Sequence, residues 1–305
     1  MDQLFEYCVY GGKMLRIKLL LKFFEEIATK EERTKLREKA LLLGICVHLL
    51  VSAWLVIDDQ IDESETRRGK RCWYKLEPKA IHHAKLLVSF IFTILKNHFR
   101  SDPNYRNVLK LCLTADIKTG IGQNMDMLLS NPKALDKYTI SVYNRMVSGK
   151  TAYCTFILPV RLCLCLLNLT DKKLRHWATS VAQKIGILFQ AQDDFIDVYG
   201  DSNQTGKIGT DIRNGKCTWL VVHALTIMNE NQRHTFVQHF GKNDDESENI
   251  VKDIFQQINM KQKFYLYEIQ EFEDILNEIS KIDEKYENIA SAIRNVATIF
   301  YQRKK

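Results

Sequence analysis

The sequence predicts an all-α protein, one domain of ten or more helices. Three observations lead there. Only four prolines, Pro78, Pro103, Pro132 and Pro159, interrupt 305 residues, and proline is the residue that most effectively breaks a helix interior. Apolar residues recur at helical spacing through most of the chain. Strand signals are weak, with no hairpin dipeptide between alternating apolar runs.

In order along the chain, helical periodicity runs through 14–27, 34–57, 85–99, 106–128, 138–169, 173–199, 216–228 and 250–300. Segments rich in Gly, Pro or Asn separate several of these: "SDPN" (101–104), "SNPK" (130–133) and "GDSNQTGKIGTD" (200–211). The acidic stretch "KNDDESEN" (242–249) reads as a solvated loop, and "YQRKK" (301–305) as a basic tail. "ALLLGICVHLLVSAWLVI" (40–57) is apolar except for His48 and Ser52 and reaches the lower length limit for a bilayer span. It runs directly into Asp58 and Asp59, so a helix buried in a bundle is expected, with no stable membrane insertion.

Composition narrows the function. The formal charge of +7 is dispersed, which suits an anionic ligand and not nucleic acid. Eight cysteines lack metal-ligand or redox spacing, and Cys46, Cys112, Cys163 and Cys165 lie in apolar runs. Reduced, buried thiols in a cytoplasmic protein are expected. The start "MDQLFEYC" has neither a secretory nor an Arg-rich transit pattern.

Two acidic motifs carry the chemistry. "VIDDQIDESETRRG" (56–69) places Asp58, Asp59 and Asp62 at the end of an apolar helix, and "FQAQDDFIDVYGD" (189–201) repeats the pattern at Asp193, Asp194 and Asp197. Like charges at this spacing disfavour an isolated helix, so a cation is expected to offset them. Hard divalent cations take oxygen ligands, and Mg²⁺ is held by a few carboxylates together with substrate phosphates. Cations suited to that ligand lie nearby. Arg67 and Arg68 follow the first motif by about one and a half helical turns, Lys207 sits in the glycine-flanked loop "TGKIGTD", "GGK" (11–13) brings Lys13 beside Arg16, and "GKT" (149–151) brings Lys150 and Thr151. Neither "GGK" nor "GKT" completes a Walker A pattern. Together with the acidic motifs they point to a diphosphate and Mg²⁺.

From about residue 11 to the C-terminus, these segments make the chain resemble the trans-isoprenyl diphosphate synthases, most of all the animal, insect-type farnesyl diphosphate synthases. "DDQIDESETRRG" and "DDFIDVYGDSNQTGKIGTDIRNGKCTWL" are similar to that family's two aspartate-rich motifs, and "GQNMD" (122–126) and "GKTAYCTFILP" (149–159) to further family segments. The resemblance implies one isoprenoid synthase domain over 1–305, a helical bundle around a central apolar cavity, normally a homodimer using three Mg²⁺ ions. It implies metal ligation by Asp58, Asp62 and Asp193 with Asp59, Asp194 and Asp197 supporting. Arg67, Lys150 and Lys207 are expected to meet the allylic diphosphate, with Asp126 nearby and Lys216 among the downstream lysines of the second motif. Thr151 and Gln190 are expected to face the nascent carbocation. Lys13, Arg16 and Arg68 stand where the family binds isopentenyl diphosphate. Ala53 and Trp54, at the family's chain-pocket floor, join Val51 and Phe189 as the residues expected to shape the cavity.

The chain also departs from the family pattern. "GGKMLRI" carries Leu15 and Ile17 where Asn and Gly are usual, Val51 replaces a glutamine that contacts the second diphosphate, and His82 and His83 replace an Asn-Asp pair. The N-terminal segment is shorter than usual. A lost donor to a charged ligand costs about 1.5–3 kcal/mol, so the coupling half of the site reads as eroded. The first expectation is therefore a terpene synthase that ionises farnesyl or geranylgeranyl diphosphate and releases diphosphate. The alternative is a chain-elongating farnesyl or geranylgeranyl diphosphate synthase, and the third is a silent modulatory subunit.

Overall fold

The computed structural model describes residues 2–10, 12, 14–201, 206 and 208–302, apart from the side chain of Lys133. The expectations for Lys13 and Lys207, and for the end of the basic tail, lie outside the described residues.

Helices account for nearly all of the regular secondary structure among the described residues. A short α1 (Asp2–Leu4) runs into a π-turn (Phe5–Val9), followed by α2 (Leu15–Ile27), α3 (Lys30–Ile61), α4 (Ala80–Phe99), α5 (Tyr105–Leu129), α6 (Ile140–Val147), α7 (Leu158–Leu166) and α8 (Lys172–Tyr199). After the second acidic motif come α9 (Trp219–Ile227), α10 (Glu230–His239), α11 (Asp245–Gln257), α12 (Met260–Ile279) and α13 (Glu287–Phe300). Thr29 starts α3 by accepting from the Glu32 amide while the Glu32 carboxylate accepts from the Thr29 amide, a reciprocal cap that satisfies two otherwise orphaned donors. From there α3 spans 32 residues, about 48 Å at 1.5 Å per residue, and delivers the first acidic motif to the middle of the molecule. Asp171 caps α8 in the same role, accepting from the Lys173 and Leu174 amides. That helix delivers the second motif.

Two apolar clusters build the core. One gathers α2, α3, α4 and α7 with the front of α8 and with α13, the other α6, α9 and α11 with the back of α8 and the start of α12. The windows of highest hydropathy, in α3 and in the run from α6 to α7, are long and apolar enough to cross a membrane, yet 67% and 72% of their residues are buried inside the bundle. Packing among the helices thus accounts for their apolar character.

The run 138–169, expected as one helix, is not uniform. Between α6 and α7 the backbone widens into a π-helix over Ser148–Ile157, a local distortion that often accompanies functional sites. Glycines press on it from both sides. A Cβ on Gly122 of α5 would lie 2.1 Å from the Lys150 amide nitrogen, and one on Gly186 of α8 would lie 2.3 Å from the Ala152 Cβ. Only a residue without a side chain permits these approaches.

Three other expectations are corrected. Arg67 and Arg68 do not continue the α3 helix, which ends at Ile61. They belong to a two-stranded antiparallel ribbon, β1 (Thr66–Arg67) and β2 (Lys70–Arg71), turned by Arg68 (φ 57°) and Gly69 (φ 75°). Two consecutive left-handed residues match the right-handed twist of short ribbons. The stretch 242–249 is not a loop throughout: Asp244 caps α11 through the Ser247 amide, with Asp245, Glu246 and Glu248 in the first turn, where the helix dipole favours negative charge. The 250–300 periodicity spans three helices, broken by left-handed Asn259 (φ 53°) and by 280–286.

Adding one methyl at Gly122 is expected to separate α5 from the π-helix and to cost about 1–3 kcal/mol. Urea unfolding of Gly122→Ala measures this as a lower midpoint at unchanged slope, and an unchanged midpoint would show that the contact is slack.

Candidate active site

The ends of α3, α5 and α8 and the π-helix converge on one cavity of about 380 Å³ at the junction of the two apolar clusters. Its polar half begins with the first acidic motif. Asp58 and Asp62 line the cavity, one helical turn apart, and the buried Asp126 of α5 joins them, so that one carboxylate oxygen from each lies within 4.8 Å of the others. Two lysines hold the three together. Lys150 Nζ lies 2.9 Å from Asp58 and 2.7 Å from Asp126, while Lys216 Nζ lies 2.6 Å from Asp62 and 2.7 Å from Asp126. Gln123 donates a further hydrogen bond to Asp58.

The charges shape one another. Burial opposes the ionised form of Asp58, but Lys150 and Arg67 outweigh it and hold the carboxyl well below its usual range. For Asp62, burial and the neighbouring Asp58 charge prevail and raise it. Burial disfavours the Lys150 ammonium, and Asp58, Asp126 and Asp62 more than compensate, so it stays protonated. Asp126 is likewise held low, against burial, by Lys150 and Lys216.

Asp59 departs from the metal-site expectation. It is buried, is not among the residues lining the cavity, and accepts from the Nε and Nη2 of Arg67. Its carboxylate anchors the ribbon to α3. Arg67 itself reaches the cavity wall, as do Arg16 and Arg68. The Gly12 backbone lies against the Arg68 guanidinium, where a Cβ would come within 2.8 Å of Nε. Tyr7 donates from its hydroxyl to the Arg71 carbonyl, and the Val9 carbonyl lies 2.8 Å from Nε2 of the buried His48, so the N-terminal segment is tied to both the ribbon and α3.

The second wall comes from α8. Asp193 and Asp197 line the cavity, and Asp197 accepts from the Asp211 amide. Asp194 also reaches it but is 3% exposed, and its carboxylate accepts three hydrogen bonds of 2.8 Å from the Gln190 amide, the Tyr143 hydroxyl and the Trp219 backbone N–H. Burial prevails over these donors and lifts its pKa to about 7. Asp194 therefore fixes α8 against α6 and α9 and orients Gln190. Thr151 donates to Gln190 Oε1 at 2.5 Å, and both line the cavity. Tyr143 carries no motif in the sequence and was not expected here. Gln123 lies within "GQNMD" but was given no role. The loops after the two motifs also touch, through a hydrogen bond of 3.0 Å from the Gly69 amide to the Gly206 carbonyl.

Val51, Trp54, Leu55, Val147 and Phe189 supply the apolar half of the cavity. Phe189 is fixed by edge contacts with Phe156 and Phe300 at centroid distances of 5.3 and 5.5 Å. Ala53, expected at the floor, is fully buried in the core and is not among the lining residues, because the α3 twist turns it away while Val51 and Trp54 face inward. The same test separates the departures from the family pattern. Only Val51 lines the cavity. Leu15 packs on the core, Ile17 sits against α3 at Gly44, and neither His82 nor His83 is a lining residue.

The donor chemistry of the acidic walls suits a hard divalent cation, since every candidate ligand is a carboxylate oxygen. Asp58 and Asp62 on one side and Asp193 and Asp197 on the other would hold Mg²⁺.

A polyprenyl synthetase family model matches residues 1–258. The chain belongs to the polyprenyl synthetase family. The family comprises the trans-isoprenyl diphosphate synthases, and the protein is a prenyltransferase of that class. It is 36% identical over 287 residues to the farnesyl pyrophosphate synthase of Candida albicans, covering 91% of this chain and 82% of the relative. It is 34% identical to that of Rattus norvegicus over 93% and 81% of the two chains. The solved T. brucei farnesyl diphosphate synthase complexed with risedronate superimposes with a TM-score of 0.93 at 27% identity, covering 100% of this chain and 90% of the other.

Within this synthetase, Asp126→Asn takes from Lys150 and Lys216 one of the two carboxylates that each contacts, a loss of charge-assisted hydrogen bonds that costs about 1.5–3 kcal/mol. The contribution of a carboxylate with a depressed pKa is present above the unfolded value and is lost as pH falls through the folded one. Urea unfolding is expected to show the full wild-type advantage at neutral pH and a gap that narrows below about pH 4. A gap that does not change with pH would refute the electrostatic origin.

Proposed function

We propose that the protein is a chain-elongating synthase that condenses an allylic prenyl diphosphate with isopentenyl diphosphate to make a product of the farnesyl diphosphate type. The observation that carries this reading is that Arg16 and Arg68 line the same cavity as the acidic walls, so cations for a second diphosphate stand beside the first. The curated relatives printed as farnesyl pyrophosphate synthases support it. They favour elongation over the terpene synthase expected from the sequence, which rested on Leu15, Ile17 and Val51 together. Two of those three do not line the cavity.

Lys150, Lys216 and Arg67 orient the allylic diphosphate and stabilise its departure, and three Mg²⁺ ions between the walls would supply charge neutralisation on the leaving group. The oxygens of Thr151 and Gln190 present dipoles to the developing cation. Val51, Trp54 and Phe189 keep water from it. A second reading, ionisation without coupling, is favoured by Val51, which offers no donor on the cavity wall.

One assay decides between them. Protein with Mg²⁺ is given dimethylallyl and isopentenyl diphosphates together, or farnesyl diphosphate alone, and both longer diphosphates and volatiles are measured. Elongation is expected, with Val51→Gln raising it. Hydrocarbon or alcohol from the single substrate without elongation would replace this reading with the terpene one, and no turnover in either would favour a silent subunit.

The proposal includes a cytoplasmic homodimer. Eight free cysteines suit a reducing compartment. Leu113, Ile117, Ile121 and Leu128 form an exposed apolar stripe on α5, with Ile117 60% and Leu128 69% exposed, at spacings that share one helix face. Light scattering is expected to give twice the chain mass, and Ile117→Glu with Ile121→Glu to give a monomer. A monomeric wild type would refute the dimer.

A further inference from the structure

We propose that Asp116 is a positioning residue for product length: from α5 it locks the Trp54 indole as the end wall of the apolar cavity, and Gly120 provides the room the ring needs. The inference rests on the elongation reading for its consequence, but its geometry stands apart from it. Trp54 lies one turn before Asp58 on α3 and is half-buried, with a face on the cavity beside Val51 and Leu55. Its Nε1 donates to Asp116 Oδ1 at 2.9 Å, across the α3–α5 boundary. An indole has few rotamers, and a charge-assisted hydrogen bond to its one donor selects among them.

Gly120 lies one turn after Asp116 on the same helix. A Cβ there would meet the indole rim at 3.2 Å from Cη2 and 3.3 Å from Cζ2. Glycine is unfavourable inside a helix, so what it offers at this position is space. Trp54 lines the cavity and Gly120 does not, so a methyl at Gly120 pushes the ring toward the cavity and shortens it. Removing the indole lengthens it.

Wild type, Trp54→Ala, Gly120→Ala, Asp116→Ala and Asp116→Asn are compared in two ways. The first is the length distribution of products from dimethylallyl diphosphate with excess isopentenyl diphosphate. The second is the Mg²⁺-dependent affinity for geranyl, farnesyl and geranylgeranyl thiolodiphosphates, which requires no turnover. Trp54→Ala is expected to shift both profiles to longer chains and Gly120→Ala to shorter ones. Asp116→Ala is expected to blur the cut-off into neighbouring lengths, and Asp116→Asn, whose amide oxygen still accepts from the indole, to restore it. An Asp116→Ala profile equal to wild type, or one that Asp116→Asn shares, overturns the inference. If the wild type elongates nothing, the elongation reading falls and the binding profiles decide the inference by the same criteria.

Discussion

Lys150 and Lys216 each bridge two carboxylates in a patch from which most water is excluded, and the rest of the architecture is arranged to make that possible. Three carboxylates with oxygens within 4.8 Å of one another repel strongly where the dielectric is low. Two ammonium groups between them turn repulsion into a mutually supporting lattice. Losing either lysine leaves carboxylates uncompensated, and the supports that place the two lysines are correspondingly specific. Gly122 lets the π-helix approach α5 closely enough for Lys150 to reach Asp126. The end of the loop after the second motif brings Lys216 to Asp62. The same two lysines that line the cavity thus offset most of the negative charge gathered at its centre.

The helical architecture and both acidic walls were legible in the sequence, because apolar periodicity and repeated aspartates are local signals. What was not legible depends on contacts between distant segments. The π-helix announces itself only as Gly149, and the glycines that let it pack closely, Gly122 and Gly186, lie on other helices. Arg67 was placed by counting helical turns from the first motif, whereas the pull of Asp59 on its guanidinium is a tertiary event. Tyr143 gives no signal at all, since a tyrosine on an amphipathic helix is usually core.

The departures from the family pattern show the same limit. Leu15, Ile17 and Val51 look alike on paper, as apolar residues replacing polar or small ones. In three dimensions Ile17 fits against Gly44, Leu15 covers the core, and Val51 alone meets the cavity. Only one of the three changes alters the chemistry of the cavity wall. Side-chain direction separates a packing change from a change in chemistry, and a helix end is where one residue of register decides it.

The hydrogen bond from the Gly69 amide to the Gly206 carbonyl has a consequence for how a ligand is enclosed. It joins the turn that follows one acidic wall to the loop that follows the other, backbone to backbone. The two loops are therefore fastened to each other at that point. Part of the conformational freedom that closing around a ligand would cost is thus already lost there.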